Sequence, residues 1–181
     1  MREPPLVRRA LELERELGFG RSSIPEVGRL LYVLAAQRGR TRVAEIGTGC
    51  GVGAAWIVSA LPPTVPFVTV ELDETLAQAA AELFADDQNV RVLQGDWHDL
   101  LPTEAPFDLL FYDGGKQHPE LDGEQAVGLL APGATVVMDD LTPDWPGPDP
   151  VREFWLNHPE IAAVELLTTP ETAAIVGTRS G

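Results

Sequence analysis

Apolar and polar positions repeat with two different spacings along the chain, and the spacing changes near residue 42. Before that point apolar residues recur every three or four positions, which is typical of helices with one buried face. They predict a first helix that ends at Gly18 and a second that begins with a capping box, Ser23 to Glu26, around a first-turn Pro25. The apolar positions are Leu6, Ala10, Leu13 and Leu17, then Val27, Leu30, Leu31 and Leu34.

Beyond residue 42 short apolar runs alternate with helical segments. The runs are predicted to be strands, and one of the helices between them is predicted to be capped by Asp73. Strands separated by helices indicate a parallel sheet with helices on both faces. The predicted strands are 42–46, 67–71, 90–93, 107–112 and 134–138; the predicted helices include 51–61 and 119–130, and a turn is expected at 131–133.

The C-terminal part of the chain departs from this alternation. Two apolar segments, 161–167 and 172–177, are separated by only a few residues. So short a link cannot make a parallel crossover, so the two segments are predicted to pair as an antiparallel hairpin. The stretch 141–150 is rich in proline and acid and is predicted to be a loop.

The composition fits a single globular domain, 1–181, with 44% hydrophobic and 23% charged residues. We divide it into N-terminal helices (1–40), a central core (41–140) and a C-terminal part with a loop, a helix and a hairpin (141–181). The net charge of −15 would repel a phosphate backbone. A small molecule is therefore expected as the partner, and nucleic acid is not.

The chain shows no signal for a membrane or for secretion. No run of about 18 apolar residues is present, and the charged N-terminus lacks the apolar stretch of a secretory signal. The single cysteine, Cys50, cannot form an internal disulfide. We expect no membrane partner and a cytoplasmic location.

A glycine loop, 43-VAEIGTGCGVGAAW-56, lies between the first predicted strand of the sheet and a helix. Gly47, Gly49 and Gly51 let the backbone turn tightly and approach a ligand, and the helix start behind them offers free N–H groups. Glu71 closes the next strand, roughly 20 residues on, where an acid typically accepts hydrogen bonds from ribose. The pattern predicts a nucleotide-like ligand at the carboxyl ends of the strands.

Two cofactors compete for this loop. A dinucleotide fold requires G-x-G-x-x-G or A, and Gly49, Gly51 and Ala54 match that register. However, Glu45 stands two residues before Gly47, where a carboxylate would repel a pyrophosphate and attract a cation. S-adenosylmethionine carries a sulfonium and an amino group and no phosphate. The sequence E-x-G-x-G-x-G therefore favours S-adenosylmethionine over NAD.

Five motifs in series resemble one known family. Residues 22–140 resemble the class I S-adenosylmethionine-dependent methyltransferases, and within them the catechol and caffeoyl-CoA O-methyltransferase group. The resemblance implies a Rossmann-like α/β fold: a seven-stranded, mostly parallel sheet with a reversed C-terminal hairpin and helices on both faces. Residues 41–140 would bind the cofactor, and 141–181 would form the acceptor side. The motifs are VAEIGTGCGVG, VTVELD, LQGDW, FDLLFYDGGK and LLAPGATVVMDD.

The resemblance also implies contacts with the cofactor. The backbone around Gly47 and Gly49 would hold the methionine part, and Glu71 would bind the ribose hydroxyls. Asp96 would receive the adenine amino group, with Trp97 against the ring edge. A helix cap at Asp96 and a core position for Trp97 are the alternatives.

The chain departs from this group at Gly53, where a serine often binds the cofactor carboxylate. The backbone N–H of Gly53 is one candidate to replace that serine, and Ser22 or Ser23 from the N-terminal segment is another. Glu45 and Gly51 complete the predicted cofactor site.

Acids follow two neighbouring strands: Asp113 ends the fourth, and Asp139 and Asp140 end the fifth. Three carboxylates in one crevice repel one another unless a cation lies between them, and hard oxygen ligands suit Mg²⁺ or another divalent cation. The resemblance implies such a site, in contact with the acceptor, and Lys116, the only lysine, as general base beside Asp113. In other methyltransferases this acid contacts the cofactor instead. A related bacterial family with D-G-x-H and D-D motifs has histidine in the place of Lys116.

The leading hypothesis is an S-adenosylmethionine-dependent O-methyltransferase that acts on a small hydroxylated acceptor with metal assistance. The alternatives are a metal-independent methyltransferase, a cofactor-binding protein without catalysis and, disfavoured by Glu45, an NAD-type oxidoreductase. His98 and His158 have no identifiable partner and are interpreted as surface residues. The N-terminal helices are candidates for pairing in a homodimer.

Overall fold

The computed structural model describes residues 2–114 and 118–181. Within these ranges the strands are β1 Val43–Ile46, β2 Phe67–Glu71, β3 Val90–Gln94, β4 Phe107–Tyr112, β5 Leu130–Leu141, β6 Ile161–Leu167 and β7 Ala173–Arg179. The helices are α1 Pro5–Leu17, α2 Pro25–Ala35, α3 Val52–Val58, α4 Glu74–Leu83, α5 Trp97–Leu100, α6 Pro119–Gly128 and α7 Pro150–Asn157, with a 3₁₀ turn at Leu101–Thr103.

The described strands form one sheet in the order β3-β2-β1-β4-β5-β7-β6. Strands β1 to β5 are parallel, and β7 is antiparallel to both β5 and β6. This confirms the predicted sheet and its reversed hairpin. The strand order reverses between β1 and β4, and in open parallel sheets ligands bind outside the carboxyl ends of the strands at such a point.

Helices cover both faces of the sheet, as predicted. On one face α1 to α4 pack on β1, β2 and β4 around the buried Trp56. On the other face α5, α6 and α7 pack around the buried Trp155. Because successive residues of a strand point to opposite faces, Val43 and Ala44 belong to different cores. None of the described helices is long and apolar enough to cross a membrane.

Two local predictions are wrong. The N-cap of α2 is Ile24, with no side-chain cap, because Pro25 fixes the first helical position and Ser23 therefore lies one residue too early to reach the first turn. Strand β5 begins at Leu130, so the expected turn at 131–133 is an irregular part of the strand: Leu130 pairs with Phe107 before the register shifts. The cap at Asp73 is confirmed, because its Oδ1 accepts from the N–H of Leu76 at 3.0 Å.

Candidate active site

The predicted site residues gather at the carboxyl edge of the sheet. Ile46 at the end of β1 pairs with Val70 of β2 and Tyr112 of β4, so the segments that follow these strands start at the same level. The glycine loop leaves β1 there, and Asp113 leaves β4. Two regions therefore share one edge: the glycine loop, and the acids that follow β4 and β5.

The glycine loop passes very close to the backbone that follows β4. Gly47 has φ 91°, and a Cβ built on it would lie 2.9 Å from the backbone nitrogen of Gly114. Both Asp113 and Gly114 donate their N–H groups to the carbonyl of Ile46, at 3.0 and 2.9 Å. Glycine is required at position 47 on both grounds, its left-handed φ and the space. The contact joins the loop to the first residue of the acidic region.

Glu71 fastens the loop from the side of β2. Its Oε2 accepts from the N–H of Gly49 at 2.8 Å, and its Oε1 accepts from the N–H of Asp73 at 3.0 Å. Each carboxylate oxygen has two lone pairs, so these bonds leave capacity for further donors. Glu71 thus positions the loop and can accept from a ligand at the same time.

Glu45 lies beneath the loop and is 1% exposed. The hydroxyl of Thr69 donates to its Oε2 at 2.6 Å, and the hydroxyls of Thr48 and Thr69 are 2.6 Å apart. Burial raises the pKa of Glu45 to about 8, and the charges of Asp139 and Glu71 act in the same direction. Near pH 7 this side chain is therefore largely protonated, and a cation placed beside it would favour release of the proton.

Asp96 is the N-cap of α5, as predicted by the alternative interpretation that it caps a helix. Its Oδ1 accepts from the N–H of His98 at 2.9 Å and lies 2.6 Å from the His98 ring nitrogen Nδ1. These two bonds lower the pKa of Asp96. Both engage Oδ1. Trp97 is 6% exposed and packs between His98, with ring centroids 3.8 Å apart, and Tyr112, so its geometry is that of a core residue.

The interpretation of the two histidines as surface residues without partners is wrong for the buried side chain of His158, and His98, whose side chain is 29% exposed, does have partners. His98 Nε2 lies 3.2 Å from Oδ1 of Asp122, which is 2% exposed and also accepts from the N–H of His118 at 2.8 Å. His98 therefore joins the start of α5 to the start of α6. The side chain of His158 is 6% exposed and lies 3.4 Å from Glu124. Both partners lie on α6, which the sequence alone does not bring to either histidine.

Asp113, Asp139 and Asp140 come together into what we call the aspartate cluster. Carboxylate oxygens of the three residues, one from each, all lie within 4.8 Å of one another, and among the described residues they form the group suited to hold a metal ion. Asp139 is 3% exposed, and Asp140 adopts φ 63°, a left-handed conformation that is uncommon outside glycine. Three like charges this close favour a cation among them.

A cavity of about 480 Å³ opens beside the aspartate cluster. Its outer wall is the segment that links β5 to α7, where Trp145 is 54% exposed. Arg152 fixes this segment: it contacts Asp149 at 2.6 Å, the carbonyl of Thr142 at 2.8 Å and, on β6, Glu165 at 2.8 Å. The lining residues are Asp113, Asp139, Asp140, Leu141, Thr142, Trp145, Pro148, Asp149, Pro150 and Val151.

Some predicted residues have a structural role, and one cannot be described. Gly51 is the N-cap of α3, with φ 81°. Gly53 is a buried residue of α3, and a Cβ there would lie 2.6 Å from Oε1 of Glu45. Lys116, the predicted general base, lies outside the described residues.

Comparison with known proteins identifies the family. The model of the methyltransferase domain family matches residues 44–141, more than half of the 181 residues. A "Probable O-methyltransferase" of Mycobacterium tuberculosis is 29% identical over 143 residues, which is 75% of this chain. The match covers 63% of that relative, so the chain spans less than two thirds of its length.

Solved structures show the same fold. One of them is the O-methyltransferase TomG from Streptomyces achromogenes, which is involved in tomaymycin synthesis and was solved in complex with S-adenosylmethionine. It superposes with a TM-score of 0.81 at 27% identity, and the match covers 99% of this chain and 92% of that one. An O-methyltransferase from Bacillus cereus in complex with S-adenosylhomocysteine superposes with a TM-score of 0.83 at 22% identity. The match covers 99% of this chain and 93% of that one. These findings confirm the resemblance drawn from the five motifs. The chain belongs to the methyltransferase domain family.

Proposed function

We propose that the protein transfers the methyl group of S-adenosylmethionine to a hydroxyl group of a small acceptor, with the assistance of a divalent cation. The observation that carries this proposal is the close contact of the glycine loop with the residue that follows Asp113 of the aspartate cluster, since Gly47 packs against Gly114. A ligand bound along the loop would end beside the acids and the cavity. Family membership and the S-adenosylmethionine complex of TomG support the choice of cofactor.

The cofactor would lie along the glycine loop, with its methionine part on the backbone of Gly47 and Gly49. Glu71 would accept from the ribose hydroxyls with the lone pairs that its bonds to Gly49 and Asp73 leave unused. Asp96 would receive the adenine amino group on Oδ2, since its hydrogen bonds within the protein engage Oδ1. Trp97, which is almost fully buried, would contribute only its edge.

The negative groups at this edge complement a sulfonium ion. S-adenosylmethionine supplies a methyl group that is activated for in-line displacement by the positive charge on its sulfur. Asp113 and Asp139, together with Glu45 once the cation favours release of its proton, would orient this positive end toward the cavity. A pyrophosphate would meet the same charges as repulsion, which is why an NAD-type oxidoreductase is disfavoured.

Asp113, Asp139 and Asp140 would hold the divalent cation. Hard carboxylate oxygens within 4.8 Å of one another match the ligand preference of Mg²⁺ or Ca²⁺. A cation held there would lower the pKa of an acceptor hydroxyl and fix its orientation. Asp113 would also contact the cofactor, because the residue after it packs against Gly47.

The acceptor would occupy the cavity beside the aspartate cluster, with Trp145 as an apolar wall. Its hydroxyl must lose a proton when the methyl group is transferred. Lys116 follows Asp113 by three residues in the sequence and is proposed as the base that takes this proton.

Calorimetric titration tests the proposal. S-adenosylmethionine and NAD are each titrated into the protein with and without Mg²⁺. We expect micromolar binding of S-adenosylmethionine, no binding of NAD, and Mg²⁺ uptake that is lost in a variant with both Asp139→Asn and Asp140→Asn. Tight binding of NAD together with silence toward S-adenosylmethionine would end the proposal.

Two further results refine it. Binding of S-adenosylmethionine without any Mg²⁺ uptake would favour the metal-independent methyltransferase. If Lys116 is the base, Lys116→Met should lower turnover and remove the activity limb that rises with pH, while leaving cofactor affinity unchanged. An unaltered pH profile in Lys116→Met would assign the proton transfer to another group.

A further inference from the structure

The ring of His98 lies between two carboxylates that differ in exposure. Its Nδ1 lies 2.6 Å from Oδ1 of Asp96, and its Nε2 lies 3.2 Å from Oδ1 of Asp122. The side chain of Asp96 is 53% exposed, whereas that of Asp122 is 3% exposed. A protonated imidazole ring donates from both nitrogens, so it can bond both acids at once. His98 thus connects an exposed acid to a buried one, an arrangement that we call the histidine bridge.

The buried acid is the fixed end of the histidine bridge. Asp122 lies in the first turn of α6, and its Oδ2 accepts from the N–H of His118, the N-cap of that helix, at 2.8 Å. The N–H of Asp122 in turn donates to the carbonyl of His118 at 2.8 Å. A buried carboxylate is stable only where donors surround it, so these bonds hold its oxygens in one place. Asp122 can therefore serve as an anchor for His98.

The ring of His98 is also fixed from below. It stacks on the indole of Trp97, with ring centroids 3.8 Å apart and an angle of 28° between the planes. Trp97 is 6% exposed and meets the ring of Tyr112 at the end of β4, with centroids 5.9 Å apart. The stack sets the plane of the imidazole, and the contact with Asp122 sets the direction of Nε2. His98 is therefore a rigid support for whatever its Nδ1 holds.

Asp96 is the end of the histidine bridge that a ligand can reach. Its Oδ1 accepts from the N–H of His98 at 2.9 Å and faces Nδ1, which leaves Oδ2 for a ligand. Capping the four-residue helix α5 requires only the backbone bond, so the contact with the ring needs a separate explanation. An exposed aspartate without support changes rotamer freely, and a ligand would have to order it on binding. The ring removes that freedom in advance.

We propose that His98 is a positioning residue for the adenine end of the cofactor site. By tying Asp96 to Asp122, it holds Oδ2 of Asp96 ready to accept from the adenine amino group. This inference rests on the function proposed above, in which Asp96 receives that group. His98 acts through Asp96 and needs no contact with the cofactor itself. The preference of the site for adenine over a purine without the amino group should therefore depend on the complete histidine bridge.

The test compares two ligands that differ only in the purine ring. S-adenosylhomocysteine carries the amino group, whereas S-inosylhomocysteine carries a carbonyl oxygen at the same place and cannot donate from it to Asp96. Calorimetric titration of both ligands at one fixed pH measures the preference as a ratio of dissociation constants. We expect the unmodified protein to prefer S-adenosylhomocysteine by at least about 10-fold.

Two variants each keep one arm of the histidine bridge. In His98→Asn the amide nitrogen can replace Nδ1 toward Asp96, but the side chain is too short for Asp122. In His98→Gln the amide nitrogen can replace Nε2 toward Asp122 and no longer serves Asp96. We expect each to reduce the preference about 5-fold, with S-inosylhomocysteine affinity unchanged. His158→Gln is the matched control, since His158 also pairs with an acid of α6, Glu124 at 3.4 Å, and should keep the full preference.

The outcomes separate positioning from a purely structural role. His98→Gln keeps the contact with the buried acid, so its melting temperature should stay close to that of the unmodified protein. Equal losses for both ligands, or a preference that survives in His98→Asn or His98→Gln, would overturn the inference. An unmodified protein that binds both ligands equally would also overturn it and leave the proposed function standing. An unmodified protein that binds neither ligand would overturn the proposed function as well.

Discussion

The glycine loop and the aspartate cluster lie on the same edge of the sheet, but different forces organise them. The loop is held by hydrogen bonds from its backbone N–H groups, such as that from Gly49 to the carboxylate of Glu71, and by contacts with no spare volume, such as that between Gly47 and Gly114. The aspartate cluster borders an open cavity and brings three carboxylates within 4.8 Å of one another. Steric fit therefore determines the glycine loop, whereas charge determines the aspartate cluster.

This difference indicates what each region tolerates. Added volume should harm the loop, and a change of charge there should matter less. The aspartate cluster should respond in the opposite way, because the cavity has room and the three carboxylates lie close together. Substitutions that change only volume or only charge can therefore separate the two regions.

The largest effect is expected from a change of charge in the aspartate cluster. Asp139→Asn keeps the shape of the side chain but removes one of three carboxylates that lie within 4.8 Å of one another. We expect turnover to fall by at least about 100-fold, because one ligand of the proposed metal site is weakened. Added Mg²⁺ should raise the melting temperature of the variant less than that of the unmodified protein, because one ligand of the proposed site is weakened.

Asp144→Asn is the matched control, since Asp144 lies on the neighbouring segment at φ 51°, a conformation that asparagine also accepts. Initial rates and melting curves with and without Mg²⁺ measure both effects. Equal turnover in the Asp139 and Asp144 variants would contradict a catalytic role for the charge of the cluster.

A change of volume in the loop should have the next largest effect. Gly47→Ala places a Cβ 2.9 Å from a backbone nitrogen and forces alanine to φ 91°. We expect a loss of about 2–4 kcal/mol in the free energy of unfolding, measured in urea. Gly128→Ala, in a helix and with nothing within 4 Å of the added Cβ, should instead be neutral or stabilising. Similar stabilities for the two variants would contradict the claim that steric fit determines the glycine loop.

The sequence predicted what is local at this edge. Glycines, a strand-ending acid and paired aspartates lie within short motifs, and a parallel sheet necessarily brings the ends of its strands together. That is why the motifs containing Gly47, Glu71 and Asp113 sufficed to predict where their residues lie on the sheet.

Contacts between distant segments were not predictable in the same way. His98 and Asp122 are 24 residues apart in the sequence, and their pairing depends on how α5 and α6 dock. No local sequence pattern encodes this contact. Likewise, the match of a capping box at Ser23 suggested a helix start, whereas the packing of the α1–α2 segment turns its hydroxyl toward the loop. In both cases tertiary packing decided between local alternatives.

A smaller effect, dependent on pH, is expected at Glu45, where the two regions influence one side chain. Its pKa rises from 4.5 to about 8 on folding, mainly because of burial. Between these values the folded state keeps a proton that the unfolded state releases, so stability falls as pH rises, and it levels off above pH 8. We expect the free energy of unfolding to fall by about 1 kcal/mol from pH 6 to pH 7 through this group.

Subtracting the stability curve of Glu45→Gln isolates this contribution, because glutamine does not titrate. The advantage of the variant over the unmodified protein should grow from pH 5 to pH 8. Saturating S-adenosylmethionine should reduce the difference, since its cation favours the charged carboxylate. Parallel curves for the two proteins would show that Glu45 titrates normally.

The smallest effect is expected at the open wall of the cavity. Trp145 is 54% exposed, so Trp145→Ala removes little packing and should leave the melting temperature and S-adenosylhomocysteine affinity unchanged. If the indole covers the acceptor, its loss should lower kcat/KM by roughly 5-fold through KM, with kcat retained, which corresponds to the apolar area of one partly buried ring. Trp155→Ala, which empties a site that is 0% exposed, should instead destabilise the whole domain. A loss of kcat rather than a rise in KM in Trp145→Ala would show that the wall acts on the aspartate cluster and not only on the acceptor. The aspartate cluster would then depend on packing as well as on charge, and the contrast with the glycine loop would be incomplete on the acceptor side.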